Sequence, residues 1–480
     1  MTPTPQEIKD RIHEIGTSEA KYLLKNWILN SNDATLRQKA LEIYGLLEEG
    51  KNFKFFEQLF LSDENLQIRL IAGQILREKY SNNKKLIQLL EYSLKMIDNV
   101  ELQLFTLRTL NSINNIKTRK LIIEFLNNII KTYINNKKRR DLKEINELDP
   151  NETIPKVFLD ICNNIILYNF YTKKCGYLVT IRDGKIISIN CESSNLKKVS
   201  DILGIKNLID LEYLQLARNK LERIEGIQFL NKLKKLDVAN NKLKEIENLD
   251  DLINLEELNL SNNKIRKIDN LDSLHHLKKL YLDNNLIEEI TNLTNLVNLE
   301  ELNFSHNQIS EIKNLDNLEK LNRLNLAYNQ IEHMKGLRNL RNLMWLHLND
   351  NKLTQISDIS TLHQLKGLYL SNNFISDIGG LENQVNLKKM ELSNNKIKRI
   401  QGLTNLKNLQ ELYLDNNSIE ELEGFEGMDN LIILHIGRNE ITKFNNESIK
   451  SLKGLNFLFL NENPLDKKSW EHFKERFKFP

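Results

Sequence analysis

The sequence predicts two solenoids in series: an α-helical N-terminal part, then a longer array of short strands stacked into one parallel β-sheet. Three observations carry this expectation. Asparagine recurs at an interval of 22 residues over roughly half of the chain. Each of these asparagines sits in the same frame of apolar residues. Upstream of the array, apolar residues instead recur at helical spacing, and glycine and proline are sparse. A fixed period of this length means a stacked architecture, in which each unit buries its neighbour's apolar face.

The asparagines are Asn219, Asn241, Asn263, Asn285, Asn307, Asn329, Asn351, Asn373, Asn395, Asn417 and Asn439, with a further copy two residues late at Asn463. Apolar residues precede each by eight, five and three positions, as Leu277, Leu280 and Leu282 precede Asn285, and follow it by two and five, as Ile265 and Ile268 follow Asn263. The frame resembles the leucine-rich repeat family, L-x-x-L-x-L-x-x-N-x-I-x-x-I, from about Leu211 to Leu465. The 22-residue class is similar to the repeats of the leucine-rich regulatory subunit of protein phosphatase 1 and of the internalins. The resemblance implies a parallel sheet on a concave face and a role in gripping another protein.

The frame has a physical reading of its own. Alternation at Leu280 and Leu282 places two apolar side chains on one face of a short strand. The asparagine falls where the chain turns inward, and its amide can satisfy backbone groups which that turn exposes. His306, beside Asn307, should point outward. After strand and turn, too few residues remain for an α-helix, so the return segments should be 3₁₀ or irregular.

Ends of such an array expose core and need caps. Tyr177–Ile181 and Lys185–Ile189 are β-prone runs flanking Arg182-Asp183-Gly184, a hairpin signal, and the second strand should start the sheet. Leu196–Leu208 reads as a degenerate first repeat. Lys467–Phe477 reads as a C-terminal helix with Trp470, Phe473 and Phe477 on one face. The expected division is 1–135 helical, 136–176 charged loop and connecting helix, 177–208 hairpin cap, 209–465 repeats, and 466–480 cap helix.

In the N-terminal third, Leu36, Ala40, Ile43 and Leu47 form an apolar stripe. Ile68, Ala72 and Ile75 repeat it 32 residues later, with Arg37 matched by Arg69. A looser copy runs from Val100 through Leu104, Leu107 and Leu110. Helix pairs at this spacing resemble HEAT-type α-solenoids; a plain helical bundle would share the stripes. Asn135–Asp141 reads as a basic surface loop, and Ile154–Tyr171 as a further helix with Pro155 in its first turn.

Charge is nearly balanced, 68 basic against 65 acidic residues, which gives no electrostatic reason to expect nucleic acid or a membrane. No apolar run is long enough to span a bilayer, and the N-terminus lacks a secretory pattern. Cys162, Cys175 and Cys191 form no CxxC pair, so a reducing, cytoplasmic setting is expected. Phosphate-binding glycine motifs and metal-ligand spacings are absent, so the sequence points to no catalytic residue, no cofactor and no enzyme.

What remains is a binding face. Residues six, four and two positions before each asparagine should point away from the core. The first half of these columns is mostly polar or charged. From the repeat of Asn351 onward, large groups accumulate: Trp345, His347, Tyr369, Glu391, Tyr413, Ile433, His435, Phe457 and Phe459. Such residue types dominate interface energetics. Cross-strand packing is the alternative for the aromatics, and packing beneath the cap helix is an equal alternative for Phe457 and Phe459. Gly367 and Gly437 should leave recesses. The expected function is a non-catalytic scaffold or regulatory subunit. It would be monomeric, and would hold a protein partner such as a phosphatase or a small signalling protein. The alternatives are an effector enzyme with the repeats as its substrate-reading arm, and an internalin-like adhesin.

Overall fold

A computed structural model describes residues 3–134 and 148–477. Asn135–Asp141, expected to form a basic loop, lies outside the described residues. The chain divides into two compact units, Met1–Gly176 with Ile181–Lys185, and Tyr177–Thr180 with Ile186–Pro480.

The first unit is helical. Its helices are α1 (Pro5–Asp10), α2 (Ile12–Ile15), α3 (Thr17–Asn30), α4 (Ala34–Leu46), α5 (Phe53–Ser62), α6 (Leu66–Lys79), α7 (Lys84–Met96), α8 (Val100–Ile113), α9 (Ile116–Ile134) and α10 (Lys156–Phe170). Consecutive helices pack in pairs, α3 with α4, α5 with α6 and α7 with α8. The second helix of each pair opens on an Asp or Asn cap. Asp33, Asn65 and Asn99 accept from the backbone N–H of Leu36 (3.2 Å), Ile68 (3.2 Å) and Leu102 (3.0 Å). The recurrence of Arg37 and Arg69 has the same local logic. Each guanidinium donates to a carbonyl at the end of the preceding helix, Ile28 and Phe60 respectively, at 2.8 Å, which satisfies an acceptor the helix leaves open. Ala40, Ile43, Ile68, Ala72, Ile75, Leu104, Leu107 and Leu110 are buried. Pro155 differs from expectation: it stands outside α10 as its N-cap, with ψ 138°, where its missing N–H costs nothing.

The second unit is one continuous sheet. After β1 (Leu178–Arg182) and β2 (Lys185–Asn190) come twelve three-residue strands. They run from β3 (Tyr213–Gln215) through β9 (Trp345–His347), β10 (Gly367–Tyr369), β11 (Lys389–Glu391), β12 (Glu411–Tyr413) and β13 (Ile433–His435) to β14 (Phe457–Phe459). They lie in sequence order, and from β2 onward neighbours pair in parallel at equivalent residues, as Leu346 pairs with Leu368 and Leu368 with Met390. Asp183 and Gly184, between β1 and β2, both adopt positive φ, as a two-residue hairpin turn requires. The middle residue of every repeat strand is buried. The return segments carry the rest of the core. They run as tight turns, for example Leu252 N–H to Leu249 O and Leu255 N–H to Leu252 O, both 2.9 Å, because 22 residues leave no room for a helix.

The asparagines link each turn to the one before. Asn307 donates to Phe304 O (3.0 Å) in its own turn and Leu282 O (2.9 Å) in the previous one, and accepts from Ile287 N–H (2.9 Å). The same three bonds recur along the ladder, ending at Asn463 with Leu460 O, Ile436 O and Ile441 N–H. At the C-terminal end, α11 (Lys467–Phe477) covers the last turn. Phe473 packs edge-on against Phe444 (5.7 Å), with Trp470 and Phe477 beside it, and Ser469 Oγ accepts from Phe444 N–H at 2.8 Å.

Candidate protein-binding face

The strand faces alternate as the pleat dictates. Leu346, Leu368, Met390, Leu412, Leu434 and Leu458 point into the core, so their neighbours Trp345, His347, Tyr369, Glu391, Tyr413, Ile433, His435, Phe457 and Phe459 stand on the opposite face. All are half-buried except Phe457, which is 54% exposed. Six strands at ~4.8 Å spacing make this strip about 25 Å long.

Cross-strand stacking accounts for the partial burial. His347 lies flat on Tyr369 (ring centroids 4.1 Å, 6° between planes), and Trp345 tilts against the same tyrosine at 6.5 Å. Further along, His435 is sandwiched between Tyr413 (4.7 Å) and Phe459 (4.0 Å). Phe459 therefore packs in this stack, while the rings of α11 pack against Phe444. Such contacts fix each ring's orientation and lower the ordering entropy a partner would otherwise have to offset.

Between the two stacks sits Lys389, which sequence reasoning did not single out. Its ammonium lies 4.9 Å from the Tyr413 ring centre and 5.8 Å from that of Tyr369, and pairs with Glu391 (3.1 Å) and Glu411 (3.3 Å). Burial works against its charge most strongly, but the two carboxylates outweigh burial and raise its pKa. Tyr413 donates to Glu411 at 3.0 Å. Burial raises the Tyr369 hydroxyl, and burial followed by Glu411 raises that of Tyr413. Burial, helped by Arg323, lowers His347 to about 4, so the strip presents a neutral imidazole near neutrality. The only signal that could have found Lys389 was its place in the column between two tyrosine-bearing strands.

Two expectations about this face are corrected. Gly367 leaves no recess, because the Trp345 ring lies over it: a Cβ there would meet Trp345 Cε3 at 2.4 Å. Gly437 is covered in the same way by Asn461, whose Oδ1 would be 2.8 Å from an added Cβ. The position two before the asparagine also contributes little in several turns outside the strip, since Ala217, Ala239, Ser261, Ser305 and Ala327 are buried, whereas within the strip Asn349, Ser371, Ser393 and Asp415 are half-buried and Asp415 lies 3.7 Å from His435. The chain is already turning inward there.

The polar half neutralises itself. Lys235 pairs with Glu257 (2.9 Å), and Glu301 lies 4.0 Å from both Lys279 and Arg323. Among the described residues no group of three His, Cys, Asp or Glu side chains is placed to hold a metal ion, and no helix is long and apolar enough to cross a membrane.

Comparison with known proteins agrees with this geometry. Residues 253–295, 297–339, 341–383 and 385–427 each match the family model "Leucine Rich repeats (2 copies)". No curated protein sequence matches the chain. Among solved structures, an internalin from Listeria monocytogenes (inlF) is 26% identical with a TM-score of 0.55, over 64% of this chain and 90% of that one. A leucine-rich-repeat protein from Leptospira interrogans (LIC12759) is 27% identical with a TM-score of 0.51, over 58% and 79%. The structure of the TLR13–ssRNA13 complex aligns at 26% identity and a TM-score of 0.50, over 56% and 42%. This is a leucine-rich repeat protein with a helical N-terminal unit.

Proposed function

We propose that the chain is a non-catalytic recognition protein that holds a protein partner on the strand face between β9 and β14. The carrying observation is the stacked strip Trp345–His347–Tyr369 and Tyr413–His435–Phe459, joined through Lys389. It offers rigid, amphipathic rings in one contiguous row, with Phe457 free at one end. These are the features of a binding hot spot, where truncation typically costs ~2 kcal/mol or more. A phosphatase or a small signalling protein is the partner class that the 22-residue repeat suggests, engaged by a single copy of this chain. RNA, as in the TLR13 complex, is disfavoured by the face itself: its polar half pairs lysines and arginine with glutamates, leaving no unbroken row of positive charge for phosphates. The three free cysteines support a reducing, cytoplasmic setting.

The test replaces Trp345, Tyr369 and Tyr413 together with alanine and recovers bound proteins from cell lysate. Loss of specific partners is expected, with a modest fall in melting temperature from the broken stacks. Unchanged partners and an unchanged melting temperature would refute the assignment.

A further inference from the structure

Charge is arranged differently along the edge where the chain leaves the sheet. In the strand columns the sign alternates from turn to turn, Lys235 against Glu257 and Lys389 against Glu411. The column just before the strands does the same, with Lys234 against Glu212 (3.2 Å) and Lys278 against Glu256 (2.8 Å). The position just after the ladder asparagine does not alternate. Lys220, Lys242 and Lys264 occupy it in three successive turns, all exposed. Their backbone N–H groups are fixed to the preceding turn, on Leu196 O, Leu221 O and Leu243 O, each at 2.8 Å. The rows of a sheet lie ~4.8 Å apart, so three like charges stand in register.

The surroundings reinforce the field. Lys197, Lys198, Lys244, Arg266 and Lys267 are exposed on the same flank. Across residues 195–200, 220–225, 242–247 and 264–269, nine basic residues stand against five acidic ones. Lys197, Lys198, Lys220, Arg223 and Lys242, with Glu222 and Glu225 among them, line a concavity of about 470 Å³. Like charges directly opposite one another destabilise a sheet, and nothing within the repeat requires them, since Leu286, Gln308 and Gln330 fill the next three turns. Those four segments contain no aromatic residue, so there is no platform on which bases could stack.

We propose that this edge binds an acidic polypeptide segment, a run of Asp and Glu side chains laid along the column of Lys220, Lys242 and Lys264. A row of ammonium groups carried on a fixed backbone complements such a segment and speeds its capture, more strongly at low salt. This surface is separate from the aromatic strip, and its occupant can be the same partner or a second one.

The experiment titrates the full chain with a fluorescein-labelled dodecapeptide of alternating Asp and Glu, read by anisotropy at low and physiological ionic strength. One variant carries Lys220→Gln, Lys242→Gln and Lys264→Gln. A second removes equal charge from exposed lysines of α5 and α7 in the helical unit, with Lys54→Gln, Lys84→Gln and Lys85→Gln. Salt-sensitive binding is expected, weakened roughly tenfold by the first variant and less than about twofold by the second. Circular dichroism checks that both variants fold. If the peptide does not bind, or both variants weaken it equally, the edge is not the site. If an oligothymidylate of equal length binds these lysines more tightly than the peptide, the partner class is wrong.

Discussion

Tyr328 is a bulky residue in the left-handed region of the backbone, with φ 56°. The residue before each ladder asparagine has positive φ, and Asn240, Asn262, Asn284, Asn372, Asn394 and Asn416 fill that place in six turns. Asparagine tolerates the left-handed region, whereas a bulky side chain there is strained. The Asn-Asn pairs visible in the sequence are therefore two roles side by side: one residue turns the chain and the next ties it down. His306 and Tyr328 hold φ 55° and 56° instead, with their rings stacked at 4.0 Å and Tyr328 49% exposed. Tyr328→Asn is expected to raise the melting temperature, corresponding to roughly 1 kcal/mol of relieved strain less the value of the lost stack; differential scanning calorimetry decides it, and a fall would show that the stack outweighs the strain. His306 points outward as the sequence implied, but its partner ring was not legible, because it comes from a residue 22 positions away. His347 gives a pH test. Its imidazole titrates near 4 in the folded protein against an ordinary 6.5. Between those values the unfolded chain takes up a proton that the folded chain refuses, so stability falls as pH drops from about 6.5 toward 4. His347→Phe, which retains a ring over Tyr369, should flatten that part of the melting-temperature profile; an unchanged slope would place the acid sensitivity elsewhere.

At the scale of one turn, the apolar frame and its asparagine were fully legible, since each makes its contacts at a fixed offset. A second column was not. Gly226, Asn248, Asn270, Asn292, Asn314, Gly336, Asp358, Gly380, Gly402 and Gly424 recur at the same period on the return side, all with positive φ. Asparagine there donates to the previous turn, as Asn292 does to Ile268 O at 2.7 Å. At Gly336, Gly380, Gly402 and Gly424 the backbone comes closer, and a Cβ on Gly424 would stand 2.0 Å from Ile400 O; Gly226 has open space instead. The mixture of Asn, Gly and Asp hides the period until the shared left-handed geometry is seen. Of the two columns, the strand-side ladder is the more buried, and each of its amides serves several backbone groups. Asn307→Ala therefore leaves the Ile287 N–H without its acceptor, while Leu282 O and Phe304 O keep the amides of Asn285 and Asn329, and should cost ~1–3 kcal/mol. Chemical denaturation measures this, and equal midpoints for variant and wild type would remove the ladder from the account.

Over the whole molecule, stability and recognition have different owners. Stability runs through nearest neighbours: the Leu and Ile columns, the two ladders, and α11 closing the last turn through Phe473. In the proposed function, recognition falls to positions whose side chains the stacking leaves free to vary: mostly charged and amide groups, with Tyr213 and Tyr281, occupy the strands up to β8, and rings gather from β9 onward. That the columns six and four positions before the asparagine face outward was legible from the period alone; that the column two before it turns inward in several repeats was not. The packing of those side chains on one another was not, because the cover Trp345 makes over Gly367 and the capture of Lys389 between two tyrosines depend on side-chain orientations across three strands.

The most direct test of the central claim places a photo-crosslinking phenylalanine analogue at Tyr413, on the strand face, and at Asp316, on the return side, and irradiates each protein inside cells. A covalent adduct of one defined mass from position 413 and none from position 316 is the expected result. Adducts from both positions alike, or from position 316 alone, would contradict the claim that the aromatic strip is where this solenoid holds its partner.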